Sequence, residues 1–295
     1  MSIEIARKEI ARFLASSDPE VLCISGQWGV GKTYTWNHLL RASQTANKIA
    51  LDGYSYVSLF GLNSVAELKQ AIFENRVSSA DVEARPNLAS VKTSLRKYSK
   101  DVFGALSALP VVGSYTSSVM ALAPLLGLTI EKQIICFDDL ERKGQGLEIK
   151  DILGLISFLR EERDCKVVIL SNTNALKDEA ETQFKDYLEK VVDIVLAFEP
   201  SAAESVAIAL PKEAGILAES CIKLSISNIR LIKKIERLVN QVAPDLAQFH
   251  QQIRHQAISS LVVLGWGPIW RKFPPNRISG ATPSLSTGVT RDVRQ

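Results

Sequence analysis

Apolar residues recur along the chain with two different periods, and these periods predict alternating helices and strands. Residues 3–15 place apolar side chains at helical spacing, whereas residues 21–25 form a short apolar run that ends in a glycine-rich turn, as a buried strand does. The pattern predicts further helices at residues 34–42, 65–74, 149–162 and 177–190, and further strands at residues 54–60, 133–137, 166–170 and 191–198. Strands alternating with helices of this length predict an α/β fold, in which a parallel sheet is sandwiched by helices.

The alternation stops near Pro200, and this divides the chain into three regions. Residues 1–200 form the predicted α/β core, with an insert at about residues 75–131. Residues 201–266 show only helical patterns and predict a small, lid-like helical subdomain, in which the pair Ser227-Asn228 is placed to cap one helix. Residues 267–295 are rich in Pro, Gly, Ser and Thr, so we expect a disordered tail there.

The turn after the first strand has the sequence of a phosphate-binding loop. Residues 26–33 match the pattern GxxxxGK[ST] and lie directly between a strand and a helix. In such a loop, glycines let backbone N–H groups converge on the phosphates, and the following helix N-terminus adds positive potential. We expect Lys32 to hold the β and γ phosphates and Thr33 to offer its hydroxyl to Mg²⁺. The predicted nucleotide-binding residues are Gly26, Gln27, Trp28, Gly29, Val30, Gly31, Lys32, Thr33 and Tyr34.

A second group of polar residues follows the later strands. The strand at residues 133–137 leads into two adjacent carboxylates, Asp138 and Asp139. Successive side chains at a strand end point apart, so we assign Asp138 to Mg²⁺ and Asp139 to orienting or deprotonating the attacking water. A solvated Asp-Asp turn is the structural alternative. Asn172 follows the strand at residues 166–170, where its amide could touch the γ phosphate or the water, or only cap the backbone.

Composition and charge narrow the classes of function. A chain of 295 residues with 46% hydrophobic content can bury a large core. Its net charge of +3 is too small to indicate nucleic-acid binding by itself. The four cysteines lack metal-binding spacing and the three histidines do not pair at helical spacing, so we expect no zinc site and a reducing, cytoplasmic location.

The motifs together resemble those of one protein family. A loop of the form GxWGxGKT, a strand ending in DDLER and a later polar strand end are similar to the KAP family of P-loop NTPases, relatives of the AAA+ and STAND ATPases. The resemblance covers about residues 1–240 and implies an insert between the two phosphate motifs, sometimes with membrane helices. It also implies a cationic residue after the core, and Arg230 in the sequence Asn-Ile-Arg resembles that element, with Ile229 where proline is more usual. A role in bacterial defence against phage or mobile elements is a further implication of the resemblance.

We therefore predict a Mg²⁺-dependent ATPase that acts as a conformational switch, with a homo-oligomer as a candidate assembly. ATP is preferred to GTP because the guanine-reading NKxD sequence is missing, and Asn47-Lys48 is followed by Ile and Ala. One alternative is a nucleotide-regulated module for nucleic-acid binding or assembly, with little turnover. Another is membrane association through the uncharged residues 102–130, which are long enough to span a bilayer. A single crossing would put the two phosphate motifs on opposite sides, and this favours a soluble helical hairpin.

Overall fold

Helices and strands alternate in the first part of the computed structural model, as the sequence pattern predicts. The structure describes residues 3–79, 130–172, 188–212 and 214–270. The helices are α1 (Ile3–Ala15), α2 (Lys32–Thr45), α3 (Val65–Glu74), α4 (Ile149–Glu161), α5 (Ala202–Ala209), α6 (Gly215–Lys223), α7 (Ile229–Leu246) and α8 (Gln251–Trp270). The strands are β1 (Val21–Ser25), β2 (Gly53–Ser58), β3 (Arg76–Ser78), β4 (Gln133–Asp138), β5 (Lys166–Ser171) and β6 (Ile194–Ala197), and a 3₁₀ turn covers Leu140–Arg142.

Six strands form one sheet in the order β3-β2-β4-β5-β1-β6. All neighbouring strands are parallel except β2 and β3. The predicted α/β fold is therefore confirmed, with one antiparallel edge strand added. Strand β3 lies at the start of the residues predicted as an insert. Only Asn75 separates it from α3, so the chain does not turn after the helix and β3 runs antiparallel to β2. Three residues are too few to give a periodic signal in the sequence.

Apolar side chains cover both faces of the sheet. On one face α1 and α2 pack through Phe13 and Trp36, whose rings meet edge to face with centroids 6.4 Å apart. On the other face α3 and α4 pack through Ile72 and Ile156, which are fully buried. Helices on both faces leave the carboxyl ends of the parallel strands as the edge where loops converge, and ligands bind at that edge in folds of this type.

Two boundaries differ from the sequence prediction for local reasons. The second strand ends at Ser58 rather than at residue 60, because the chain turns there and leaves the Phe60 side chain exposed. The last strand begins at Ile194 rather than at residue 191, because the preceding helix continues through Val191. Most of that predicted helix, at residues 177–190, lies outside the described residues.

Helices α5 to α8 build a third apolar cluster beside the sheet. Ile235 of α7 and Val262 of α8 are fully buried in it. Gly265 lets the two helices approach closely, because a Cβ atom there would lie 2.8 Å from the Ile235 side chain. Helix α8 continues through Gly265 and ends at Trp270, past the boundary predicted at residue 266.

The uncharged segment that suggested membrane contact can be compared only in part with the structure. Of residues 102–130, the structure describes Ile130 alone, and its side chain is buried. Among the described residues, no helix combines the length and apolar character that a membrane crossing requires.

Candidate functional site

The phosphate loop connects β1 to α2 at the carboxyl edge of the sheet. Gly26 donates its backbone N–H to the Ser171 carbonyl at 3.2 Å, which ties the loop to the end of β5. Gly31 precedes α2 with a φ of 98°, a left-handed conformation that glycine adopts without steric cost. No side chain caps α2, so the first N–H groups of this helix are available to a ligand. The loop thus has the backbone geometry that an anion requires.

Lys32 points back into the loop. Its Nζ donates to the carbonyl oxygens of Gly26 at 2.7 Å and Gln27 at 3.0 Å. Burial lowers the pKa of Lys32, and the negative charges of Glu141 and Asp138 offset part of that effect. A buried ammonium held by two carbonyl oxygens can exchange them for phosphate oxygens, which carry more negative charge.

Two side-chain hydroxyls and one backbone N–H donate hydrogen bonds to the Asp138 carboxylate at the end of β4. Thr33 Oγ1 donates to Asp138 Oδ2 at 2.7 Å, and the Tyr56 hydroxyl donates to the same oxygen at 2.8 Å. The Asp139 backbone N–H donates to Asp138 Oδ1 at 2.8 Å. Burial raises the pKa of Tyr56, and Asp138 raises it further, so the phenol stays protonated and remains a donor.

The oxygens at Asp138 suit a magnesium ion. Mg²⁺ takes hard oxygen ligands, commonly one or two from protein with the rest from water and phosphate. Thr33 and Asp138 offer two such oxygens within hydrogen-bond distance of each other. Within the described ranges no group of three or more His, Cys, Asp or Glu side chains could hold a metal ion. The residues present fit a Mg²⁺ ion shared with a nucleotide.

Tyr56 did not emerge from the sequence analysis. Tyr56 of β2 pairs with Cys136 of β4, and two residues further along the same strands Ser58 pairs with Asp138. Polar residues at alternate positions of β2, at 54, 56 and 58, were the available signal, because alternate side chains of a strand share one face.

Asp139 lies beside Asp138 but faces different partners. Its backbone has a φ of 58°. Its Oδ2 accepts from the Ser58 hydroxyl at 2.7 Å, and its Oδ1 lies 3.5 Å from Arg142 Nη1. The Arg142 guanidinium in turn stacks on the Phe60 ring at 3.9 Å. The two aspartates therefore have separate side-chain partners, and the carboxylate of Asp139 already has two.

A third carboxylate, Glu141, shares the electrostatic environment of Lys32. Its side chain is half-buried on the 3₁₀ turn after Asp139. Burial raises the pKa of Glu141, while the positive charge of Lys32 opposes that rise. Among the charged neighbours of Lys32, Glu141 has the largest effect on its pKa. The sequence DDLER contains Glu141, but the sequence analysis gave it no role. Its spacing of three residues from Asp138 was the available signal, because residues three apart in a 3₁₀ turn lie on the same side.

Asn172 follows β5, which lies between β4 and β1 in the sheet. It therefore lies between the strand ends that carry Asp138 and the phosphate loop. Its side chain is 8% exposed, and its Oδ1 has no hydrogen-bond partner among the described residues. An unpaired buried polar atom costs about 1–3 kcal/mol, so such an atom at a strand end indicates a place for a ligand or water.

The remaining predicted residues lie around the mouth of the loop. Val30 is buried in the cluster under α1, while Trp28 and Tyr34 are about half exposed. The Tyr34 ring stacks on His38 one turn along α2, with centroids 6.1 Å apart. Arg230 on the first turn of α7 lies with its guanidinium carbon 4.5 Å from the centre of the Trp28 ring. The structure thus places the phosphate loop, Asp138, Asp139 and Asn172 at the carboxyl edge of the sheet, with Arg230 beside Trp28.

Known proteins resemble this chain in sequence and in fold. Residues 6–228 match the KAP family P-loop domain. No curated protein sequence matches the chain significantly. Among solved structures, the Aeropyrum pernix ORC2 protein in ADPNP and ADP complexes is similar with a TM-score of 0.51 and 15% identity, over 88% of this chain and 66% of that one. The Drosophila ORC bound to DNA is similar with a TM-score of 0.49 and 14% identity, over 87% of this chain and 58% of that one. This chain therefore spans less than two thirds of both structures, and the first shows the shared fold.

Proposed function

Because the chain belongs to the KAP family of P-loop proteins, we propose that it is a Mg²⁺-dependent ATPase whose helical region responds to the bound nucleotide. The single observation that carries this proposal is the hydrogen bond of 2.7 Å between Thr33 and Asp138. It joins the phosphate loop to the end of β4, and the two oxygens it brings together are those that a nucleotide-bound Mg²⁺ needs.

The chain's own groups support hydrolysis in the following way. Lys32 would leave the carbonyl oxygens of its loop and bind the β and γ phosphates. Thr33 and Asp138 would hold the Mg²⁺, which would supply positive charge to stabilise the phosphate oxygens. Asn172 would orient the attacking water or bind the γ phosphate.

The remaining step is transfer of a proton from water to a carboxylate. As the water oxygen bonds to the γ phosphorus, the bond between that phosphorus and the β–γ bridging oxygen breaks, and ADP leaves with the bridging oxygen. Asp139 and Glu141 are the two candidates for the proton acceptor. The contacts of Asp139 with Ser58 and Arg142 favour Glu141, whose raised pKa also suits proton transfer.

Adenine nucleotides are the ligands we propose to test first. The sequence lacks the guanine-reading NKxD element. The Aeropyrum pernix ORC2 protein, which shares the fold, is described with ADPNP and ADP. Both points support ATP over GTP as the substrate.

Replacement of Lys32 by alanine tests the proposed site. We expect Lys32→Ala to lower ATP affinity by at least about 100-fold, because charge-assisted hydrogen bonds are worth about 1.5–3 kcal/mol each. Lys8→Ala is the matched control, since the Lys8 side chain is 79% exposed on α1. Calorimetric titration with ATP and Mg²⁺ gives the affinity, and circular dichroism checks the fold. A folded Lys32→Ala protein with wild-type ATP affinity would contradict the proposal.

A second candidate function is nucleotide-regulated binding of nucleic acid. Helix α7 carries exposed cations at Lys233, Lys234 and Arg237, on the same helix that begins at the phosphate loop. Contacts of this kind with phosphate groups weaken steeply with salt. ATP turnover measured with and without DNA at two salt concentrations separates this function from simple hydrolysis, because only a DNA-dependent rate would fall as salt rises.

The cellular role needs a separate test. The four cysteines are free and buried, which is compatible with the reducing cytoplasm that we propose as the location. The role in defence against phage or mobile elements rests on family resemblance. Challenge of cells carrying the wild-type or the Lys32→Ala protein with phage tests it, since a nucleotide-dependent defence requires Lys32.

A further inference from the structure

The start of α7 is docked directly on the phosphate loop. The Ile229 backbone N–H donates to the Gly29 carbonyl at 2.8 Å, and the Asn228 amide donates to the Trp28 carbonyl at 3.0 Å. The approach leaves no room for a side chain at Gly29 or Gly31. A Cβ at Gly29 would lie 2.4 Å from Asn228 Oδ1, and one at Gly31 would lie 2.5 Å from Ile229 Cδ1. The helical region and the nucleotide loop are therefore in direct contact at this point.

The same turn of α7 places Arg230 over Trp28. The guanidinium carbon lies 4.5 Å from the ring centre, within the range of a cation–π contact. The Trp28 ring is 48% exposed and Arg230 is exposed, so the pair lies at the open mouth of the site. Arg230 also lies close enough to Lys32 to lower the pKa of that ammonium. A phosphate beside Lys32 would therefore lie in the field of Arg230 as well.

We propose that the Trp28 ring holds the Arg230 guanidinium in a parked position, and that the γ phosphate of bound ATP competes with the ring for this cation. This device rests on the proposed ATPase function and adds its regulation. While Arg230 lies on Trp28, the site has similar affinity for ADP and for ATP. When ATP draws Arg230 from the ring, the first turn of α7 moves relative to the loop to which it is docked. Trp28 thereby sets how strongly the site distinguishes ATP from ADP.

Removal of the ring should release Arg230 to the phosphate. Trp28→Leu keeps an apolar side chain and the backbone carbonyl that Asn228 contacts. We expect the ratio of affinities for a non-hydrolysable ATP analogue and for ADP to rise about two- to fivefold, the factor that corresponds to an exposed cation–π contact. Trp28→Phe retains a ring with a weaker face and should give a smaller rise. Both affinities are measured by calorimetric titration with Mg²⁺.

A double-mutant cycle shows whether Arg230 is the partner. In an Arg230→Ala background, Trp28→Leu should leave the affinity ratio as it is in Arg230→Ala alone. Tryptophan fluorescence gives a second readout, because the ATP analogue should change the emission of Trp28 in the wild-type protein more than ADP does. The same titrations on Trp28→Phe identify the part of the signal that comes from the other tryptophans.

Two results would overturn the parked position. One is an affinity ratio that Trp28→Leu leaves at the wild-type value. The other is an equal rise with and without Arg230, which would mean that the ring acts on the nucleotide itself. Failure of the ATPase proposal is a distinct outcome, since Lys32→Ala would then bind both nucleotides as the wild type does.

Discussion

Asp139 has a left-handed backbone conformation at the end of β4, and this conformation separates the carboxylates of the site. Non-glycine residues adopt it at a cost of about 1–3 kcal/mol where the surrounding structure demands it, although Asp tolerates it better than most. Asp139 has a φ of 58°, and its carboxylate contacts Ser58 and Arg142. The 3₁₀ turn that carries Glu141 follows directly. This backbone conformation therefore lies at the position that gives Asp138 and Asp139 different partners.

Amide replacements distinguish the two candidate proton acceptors. We expect Glu141→Gln to slow ATP hydrolysis by about 10²–10⁴-fold, the usual contribution of a general base, while ATP affinity stays close to wild type. Asp139→Asn should slow it less, because an amide oxygen can still accept from Ser58. Glu148→Gln is the control, since the Glu148 side chain is 61% exposed at the start of α4. Single-turnover rates with saturating ATP give the comparison, and a larger loss in Asp139→Asn would return the role to Asp139.

The same Glu141 variant has a predicted effect on stability. Burial raises the pKa of Glu141, so the charged form is disfavoured in the folded protein. The stability that this group contributes is present below its unfolded pKa and is lost as pH rises through the folded pKa. We therefore expect Glu141→Gln to unfold at a higher temperature than the wild type at neutral pH. This difference in unfolding temperature should shrink as pH falls through the raised folded pKa of Glu141 and should be lost below about 4, the ordinary pKa of a glutamate. If the two proteins differ in unfolding temperature by the same amount from acid to neutral pH, the charge of Glu141 is not the cause of the difference.

At the scale of elements, Asn228 has two tasks at the start of α7. Its Oδ1 accepts from the Leu231 N–H at 3.0 Å as a helix cap, and its amide contacts the phosphate loop. Ser64 caps α3 by accepting from the Glu67 N–H at 3.2 Å, away from the loop. Loss of either cap should cost about 0.5–2 kcal/mol.

Alanine at each cap therefore separates capping from docking. Asn228→Ala and Ser64→Ala should lower the free energy of unfolding by similar amounts in urea titrations. Only Asn228→Ala should also weaken ATP binding, because Asn228 contacts the phosphate loop and Ser64 does not. Equal ATP affinity in the two variants would show that the contact with the Trp28 carbonyl has no effect on the nucleotide.

The sequence alone predicted the elements whose signal is local. The spacing of GxxxxGKT between strand and helix indicated the phosphate loop, and the apolar run before Asp138 indicated β4. It did not predict β3, which is too short to show a period, or the role of Tyr56. The Tyr56 hydroxyl reaches Asp138 only because β2 and β4 pair in one register, with Ser58 opposite Asp138. Likewise the cap at Asn228 could be predicted, but its contact with Trp28 depends on how the helical region packs.

At the scale of the whole molecule, the buried cysteines divide between the two regions. Cys23, Cys136 and Cys165 lie in or beside the sheet, and Cys221 lies in the cluster of α5 to α8. Burial raises the pKa of Cys221 and of Cys165 to about 11 and that of Cys23 to about 12. Since the thiolate is the reactive form, labelling of each cysteine requires its own region to open.

Labelling of Cys221 should therefore report opening of the helical region by itself. Ile235 is fully buried between α7 and α8, so Ile235→Ala should cost about 2–5 kcal/mol. Every 1.4 kcal/mol lost raises the open fraction about tenfold, and mass spectrometry of labelled peptides should show faster reaction at Cys221 than at the sheet cysteines. Leu264→Ala, at a side chain 68% exposed on α8, is the control and should leave all rates near wild type. Saturating ATP analogue should slow Cys221 labelling, because α7 begins at the loop that binds the phosphates. If all four cysteines react together in Ile235→Ala, the two regions open as one unit, and movement of the helical region over an intact sheet is excluded.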